Sequence, residues 1–181
     1  MKRILLIFFI INFNNFASSS IKEDIINNLI NVKNLSFNFE QNINGKVETG
    51  NCVIEYPKKI YCKYMKNNKI LVSNGKSLVI KTETSFYRYS LEKTPLNLIL
   101  DKNFLIKKIH LLEENVIDDN LINFTIVEND NEIDVFFDSE TFNLIGWKTR
   151  DIYQNTNITY LSSIETNKEI TKNLFRIPSQ N

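Results

Sequence analysis

Apolar residues in the opening part of the chain recur at two different periods. Ile21, Ile25, Leu29 and Val32 fall at helical spacing, with Lys22, Glu23, Asn27 and Asn28 on the other faces, which predicts an amphipathic helix over 21–32. From Leu35 the period drops to two. Leu35, Phe37 and Phe39 alternate with Ser36, Asn38 and Glu40, the pattern of a half-buried strand. Asn44-Gly45 and Asn74-Gly75 are hairpin-type turns. They punctuate strands predicted at 47–56, 60–66, 69–73 and 78–80, and a further strand at 85–90 carries Phe86, Tyr87 and Tyr89. At Thr94-Pro95 the alternation stops. Thr94 suits a helix cap and Pro95 the first helical position, so Leu96, Leu98, Ile99 and Leu100 read as a short helix that is apolar on most sides. Residues 103–112 fit helix and strand templates equally. Strands resume at 121–128 and 131–138, joined by Asn129-Asp130, and continue at 142–150 and 156–164. The sum is one α+β domain: a strongly bent antiparallel sheet whose apolar face the 21–32 and 95–100 helices must cover.

The first 19 residues follow a different logic. Lys2 and Arg3 precede an uninterrupted apolar run, Ile4 to Ile11, and small residues follow at Ala17, Ser18 and Ser19. Charged start, short apolar core and small-residue end make a secretory signal peptide, with cleavage expected after Ala17 or Ser19. The run is far shorter than the roughly 20 residues a membrane span needs. A buried N-terminal strand is the alternative. The expected organisation is therefore a signal peptide over 1–19 and one domain over 20–181. Removing Lys2 and Arg3 leaves 20 basic against 21 acidic residues, a net charge of −1, which gives no electrostatic basis for binding nucleic acid.

Export changes the reading of the two cysteines. With a turn centred on Pro57, Cys52 and Cys62 fall opposite each other on neighbouring strands, within disulfide reach, which predicts a Cys52–Cys62 bridge. Two half-buried thiols are the alternative. A metal site has no support, since two cysteines and one distant histidine, His110, make a poor ligand set. Catalysis has little support either. Nucleophilic chemistry would have to use His110, no phosphate-binding glycine loop or serine-hydrolase motif occurs, and Asp118-Asp119 sits in a turn-like stretch. Nothing points to a cofactor. What the chain does have is apolar surface, with 13 Phe and 7 Tyr. A short helix apolar nearly all round must be sandwiched or face an apolar site.

Several motifs, in order, resemble the periplasmic outer-membrane lipoprotein carrier family, LolA. They are the N-terminal helix leading into Phe37-x-Phe39-x-Gln41; the strand Gly50 to Tyr56 before Pro57, followed by Ile60 to Tyr64; Val72-Ser73-Asn74-Gly75-x-x-Leu78; Thr94-Pro95-Leu96-x-Leu98-Ile99-Leu100; the stretch Asp138 to Trp147; and Leu174-Phe175-x-x-Pro178. The resemblance implies an unclosed antiparallel β-barrel with a helical lid over an apolar cavity. It implies a monomeric periplasmic chaperone, not an enzyme, that carries acylated lipoproteins from the inner to the outer membrane. Cargo would arrive from an inner-membrane ABC lipoprotein-releasing transporter and leave to an outer-membrane acceptor, if present. The residues expected at the cavity and lid are Ile25, Leu29, Phe37, Phe39, Ile54, Tyr56, Ile60, Leu96, Leu98, Ile99 and Leu100. The sequence departs from the family at Tyr56, where an arginine usually precedes the proline and holds the lid by hydrogen bonds to its carbonyls. A phenol offers one O–H donor where arginine offers five N–H donors. Tyr56 either reaches toward the lid or lies on the outer face of its strand. Two alternatives to the carrier remain open: another exported lipid-binding or lipoprotein-sensing protein of the same fold, and an envelope module that binds a protein partner through a sheet edge.

Overall fold

The computed structural model describes residues 20–117, 120–128, 131–150 and 155–180. The expected signal peptide, the Asp118-Asp119 pair and the Asn129-Asp130 turn lie outside them. Helix α1, Ile21–Asn31, opens the described chain. Ser20 caps it reciprocally with Glu23, so the first orphan amides are satisfied locally, and Ile25, Ile26 and Leu29 form its buried stripe. Six strands follow: β1 (Asn34–Ile43), β2 (Lys46–Glu55), β3 (Lys59–Tyr64), β4 (Ile70–Asn74), β5 (Ser77–Lys81) and β6 (Phe86–Ser90). A 3-10 turn over Leu91–Lys93 leads to α2 (Leu96–Ile99) and α3 (Lys102–Leu111). The chain then returns through β7 (Asn115–Ile117), β8 (Leu121–Glu128), β9 (Asn131–Asp138), β10 (Leu144–Arg150) and β11 (Thr156–Thr166).

These eleven strands belong to one antiparallel sheet in the order β6-β5-β4-β3-β2-β1-β11-β10-β9-β8-β7. β1 pairs with β11, so the two meanders meet in the middle and β6 and β7 form the outer edges. The sheet is bent but not closed. Asn44 and Gly45 take φ of 49° and 85°, the left-handed pair that a two-residue hairpin between right-twisted strands requires. Gly50 answers a different need: a Cβ there would lie 2.2 Å from the Lys63 carbonyl oxygen and 2.7 Å from the Phe39 ring. Its absence lets Phe39 pack edge-on against Tyr64, with ring centroids 4.9 Å apart.

Inward residues follow the period-two rule. Leu35, Phe37 and Phe39 from β1, Ile54 and Ile60 from β2 and β3, and Ile122, Phe124 and Ile126 from β8 are all buried. They pack with Ile25 and Leu29 of α1, Ile99 of α2 and Leu105 and Ile109 of α3 into one core. The two expected lid helices are in place, and the ambiguous 103–112 stretch supplies a third. Leu105 and Ile109, four residues apart, set its buried face, and Asp101 caps it by accepting from the Phe104 amide. The expected cap at Thr94 is not made. Its hydroxyl donates backward to the Leu91 carbonyl at 2.7 Å, and Pro95 holds the N-cap position. β7 was not legible in the alternation; it is a three-residue exposed edge strand.

The outward face is mixed: it carries polar residues, the stacked Phe136 and Tyr160 rings and the exposed Val127, and part of it lies beneath the C-terminal segment. That segment passes from Asn34, whose side-chain amide donates to the Lys168 carbonyl, to Lys59, which lies over the Phe175 ring, and to Lys81, which donates to the Ser179 carbonyl. This is the side on which Val72 and Val79 are buried. Further along the outer face, Asp134 accepts from Lys148 at 2.8 Å and from the Thr125 hydroxyl at 2.6 Å. Burial opposes ionisation of Asp134, but these partners outweigh it and hold the carboxyl below its ordinary range. Glu48 behaves alike: burial opposes its charge, and Lys69 and Lys46 overcome that and lower it. A carboxyl that ionises more readily in the folded chain stabilises the fold above its unfolded value. That contribution is lost as the pH falls through the folded value. The melting temperature is therefore expected to hold from neutral pH to about 5 and to drop below about pH 4, with a shallower acid limb in Asp134→Asn. Thermal unfolding across pH checks this, and an unaltered limb in the variant contradicts the assignment.

Candidate functional site: a cavity under the lid

The sheet and the lid do not meet everywhere. Between them lies a cavity of about 180 Å³. Ile60, Cys62, Leu71 and Leu78, on β3 to β5, form its apolar wall, with Phe39 and Trp147 beside them. Pro95, Leu96 and Ile99 form the roof, so α2 closes the site. Cys52 and Cys62, direct partners between β2 and β3, are joined by a disulfide whose sulfur-bearing side chains line the same wall. One pole is polar. Gln41, Thr149, Asn157 and Thr159 all face the cavity from β1, β10 and β11. The Tyr64 hydroxyl donates to Gln41 Oε1 at 3.1 Å, and Gln41 Nε2 donates to Thr159 Oγ1 at 3.2 Å. Burial, reinforced by the charge on Glu48, raises the Tyr64 phenol far above its ordinary value, so it remains a donor at any working pH.

Of the residues singled out from sequence, Phe39, Ile60, Leu96 and Ile99 line the cavity, as do Cys52 and Cys62. Ile25, Leu29, Phe37, Ile54 and Leu100 are packed in the solid core instead, and Tyr56 and Leu98 lean against it partly buried. The cavity is thus narrower than the expected set and sits toward the β3–β5 side. Sequence reasoning missed Tyr64, Leu71, Leu78 and Trp147, which are inward positions on strands that the alternation predicts. It also missed the polar pole, because a threonine or asparagine at an inward position is indistinguishable by type from one facing water. The available signal was register: Gln41 continues the inward series of Leu35, Phe37 and Phe39. Among the described residues no cluster of acidic, cysteine or histidine side chains could hold a metal ion. His110 is exposed at the end of α3.

Among the described residues no arginine holds the lid. The Lys58 amide donates to the Leu100 carbonyl at 2.9 Å, at the end of α2, and Lys58 Nζ lies 3.3 Å from Asp101 Oδ2. Lys58 takes a φ of 67°, a left-handed conformation that a lysine adopts at some cost. Its carbonyl accepts from the fully buried Ser73 hydroxyl at 3.0 Å, which fixes the turn. On the other side Lys102 donates to the Val32 and Ile30 carbonyls, at 2.9 and 3.1 Å, tying α3 to the end of α1. Tyr56 takes no part in this hydrogen bonding. Its hydroxyl is buried with no hydrogen-bond partner among the described residues, and its ring lies 5.9 Å from Lys102 Nζ. Of the two placements left open for Tyr56, neither gives the lid a phenolic hydrogen bond here: the contacts that hold it run through the backbone of residue 58 and the side chains of Lys58 and Lys102. Leaving a buried hydroxyl unpaired costs about 1–3 kcal/mol. Tyr56→Phe removes that cost while keeping the ring, and is expected to stabilise the protein by about 1 kcal/mol. Denaturant unfolding measures it, and a loss of stability would show that the hydroxyl has a partner.

A bent, open antiparallel sheet wrapped around a helical lid, with an apolar cavity beneath the lid, defines an unclosed-barrel binding fold. No helix of the described residues is long and apolar enough to cross a membrane. The chain belongs to the LolA family, outer membrane lipoprotein carrier protein, which it matches over residues 30–178. No curated protein sequence matches it. Among solved structures, an uncharacterized conserved protein from Thermus thermophilus superposes with a TM-score of 0.52 at 4% identity, covering 88% of this chain and 93% of that one. A LolA superfamily protein from Nitrosomonas europaea gives 0.47 at 7% identity, over 87% and 96%. MucB gives 0.42 at 10% identity, over 87% and 63%. At such identities the likeness is one of fold.

Proposed function

We propose that this protein carries acylated proteins through the periplasm, holding an acyl chain in the cavity beneath α2. The observation that carries the reading is the cavity itself: an apolar wall on the sheet, an apolar roof on a four-residue helix, and a latch of few polar contacts. In the lid-down state the space is small. A cavity of about 150 Å³ holds one benzene molecule, so about 180 Å³ admits the end of one chain and no more. Loading must therefore lift α2. Each methylene buried gains roughly 0.8 kcal/mol, and the energy needed to separate α2 from the sheet subtracts from that sum. This balance is what a carrier needs, since a cargo buried without opposing cost would not be released. An inner-membrane ABC lipoprotein-releasing transporter as donor and an outer-membrane acceptor fit this role.

The test is binding of a synthetic acylated peptide, its unacylated form and a free fatty acid, each titrated against the purified protein. A carrier binds the acylated peptide and not the bare one. Preference for the free fatty acid would favour a lipid binder of the same fold, and capture of the bare peptide would favour a protein-binding module. Export is checked separately: the N-terminus of the protein recovered from the periplasm should begin after Ala17 or Ser19.

A further inference from the structure

The polar pole of the cavity has a use that a plain hydrocarbon would not give it. Gln41 and Thr159 are direct partners across β1 and β11, and Thr149 and Asn157 are direct partners across β10 and β11. The four side chains therefore form one cluster on the inner face, and Thr149 and Thr159 are buried there. The hydrogen bonds leave a definite remainder. Gln41 is committed at both ends, to Tyr64 and to Thr159. Thr159 Oγ1 accepts from Gln41, so its own proton is left to donate. Asn157 Oδ1 is buried with no hydrogen-bond partner among the described residues. A buried acceptor without a donor is rare in folded proteins and demands an explanation. Among the described residues the cavity wall contains no charged side chain, so a free carboxylate would enter without a counter-charge.

We infer that the pole recognises the amide of an amide-linked acyl chain, with Asn157 Oδ1 accepting the amide N–H and a threonine hydroxyl donating to the amide carbonyl. The inference rests on the carrier reading and narrows it. An ester of the same chain keeps the carbonyl but has no N–H, and leaves Asn157 orphaned. A carboxylate has neither the donor nor a partner for its charge. Of these three groups, only the amide answers the acceptor and the donor together while remaining neutral. The apolar wall of Leu71 and Leu78 then takes the adjoining methylenes.

The experiment compares N-methyl dodecanamide, methyl dodecanoate and dodecanoate as competitors for a bound fluorescent acyl probe at neutral pH. The amide should bind about tenfold more tightly than the ester, as one satisfied buried hydrogen bond predicts. In Asn157→Leu that ratio should fall to about one, chiefly because the amide binds less well. In Thr159→Val amide and ester should weaken together, since they share the carbonyl. Circular dichroism establishes that each variant is folded; if Asn157→Leu is not, Asn157→Ser makes the same comparison, and the ratio in the unaltered protein decides by itself. Equal affinity of amide and ester in the unaltered protein, or an undiminished ratio in a folded Asn157 variant, overturns the inference and leaves the carrier reading standing. Failure of all three ligands to displace the probe overturns both.

Discussion

Leu96→Asp is expected to reduce the affinity for an acylated peptide by at least about a hundredfold, because a carboxylate on the cavity roof must stay hydrated or face apolar side chains. Leu96 lines the cavity and Leu98 does not, although both lean against the core. The contrast between them is the informative part. Leu98→Asp should weaken binding far less, acting only through the seating of α2. The sequence alone makes Leu98 as good a candidate as its neighbours, and a short helix turned by one residue would exchange their roles. Both variants should be titrated with the same acylated peptide. If Leu98→Asp abolishes binding and Leu96→Asp does not, α2 presents its other face to the ligand and the cavity beneath it is not the binding site.

Replacing both cysteines, Cys52→Ala with Cys62→Ala, is expected to cost about 2–3 kcal/mol, the chain-entropy value for so short a closed loop. For a domain of this size that lowers the melting temperature by roughly 4–12 °C. The two residues sit opposite each other, with Cα atoms 4.1 Å apart, on the strands that carry Ile54 and Ile60. The bridge therefore secures the β2–β3 hairpin whose turn holds Lys58, the residue that anchors the lid. A second consequence follows from that placement. The double variant should release an acyl probe faster as well as melt earlier, since the latch rests on the turn between the bridged strands. Calorimetry and stopped-flow release read the two effects separately, and mass spectrometry of the purified protein counts its thiols. An unchanged melting temperature would mean that the unfolded chain does not exploit the freedom gained.

Much of the architecture could be read directly from the chain. Period two at Leu35, Phe37 and Phe39, the Asn-Gly turns, and helical spacing at Ile25 and Leu29 each reflect forces that act within a few residues, and each is where the sequence places it. The facing of Cys52 and Cys62 was also legible, since a turn at Pro57 fixes register by counting. The 103–112 stretch was not, because Leu105, Ile106 and Ile109 satisfy both periods until Asp101 caps the first turn.

The site was legible only in part. The sequence by itself determined which side chains point inward, and hence that Phe39, Ile60, Leu96 and Ile99 were available to a cavity. It could not determine where packing fails to fill the space, because a void is set by the separation of sheet and lid, summed over contacts far apart in the chain. Ile25, Leu29, Phe37, Ile54 and Leu100 are inward by the same rule, yet close packing consumes them. The tertiary structure likewise decided the latch. A backbone amide carries no sequence signature, so the bond from Lys58 to the Leu100 carbonyl became visible only once the β2–β3 turn stood against the end of α2. The polar pole shows the same limit: Gln41, Thr149, Asn157 and Thr159 are dispersed over more than half the sequence, and only the pairing of β11 with β1 and β10 makes them neighbours.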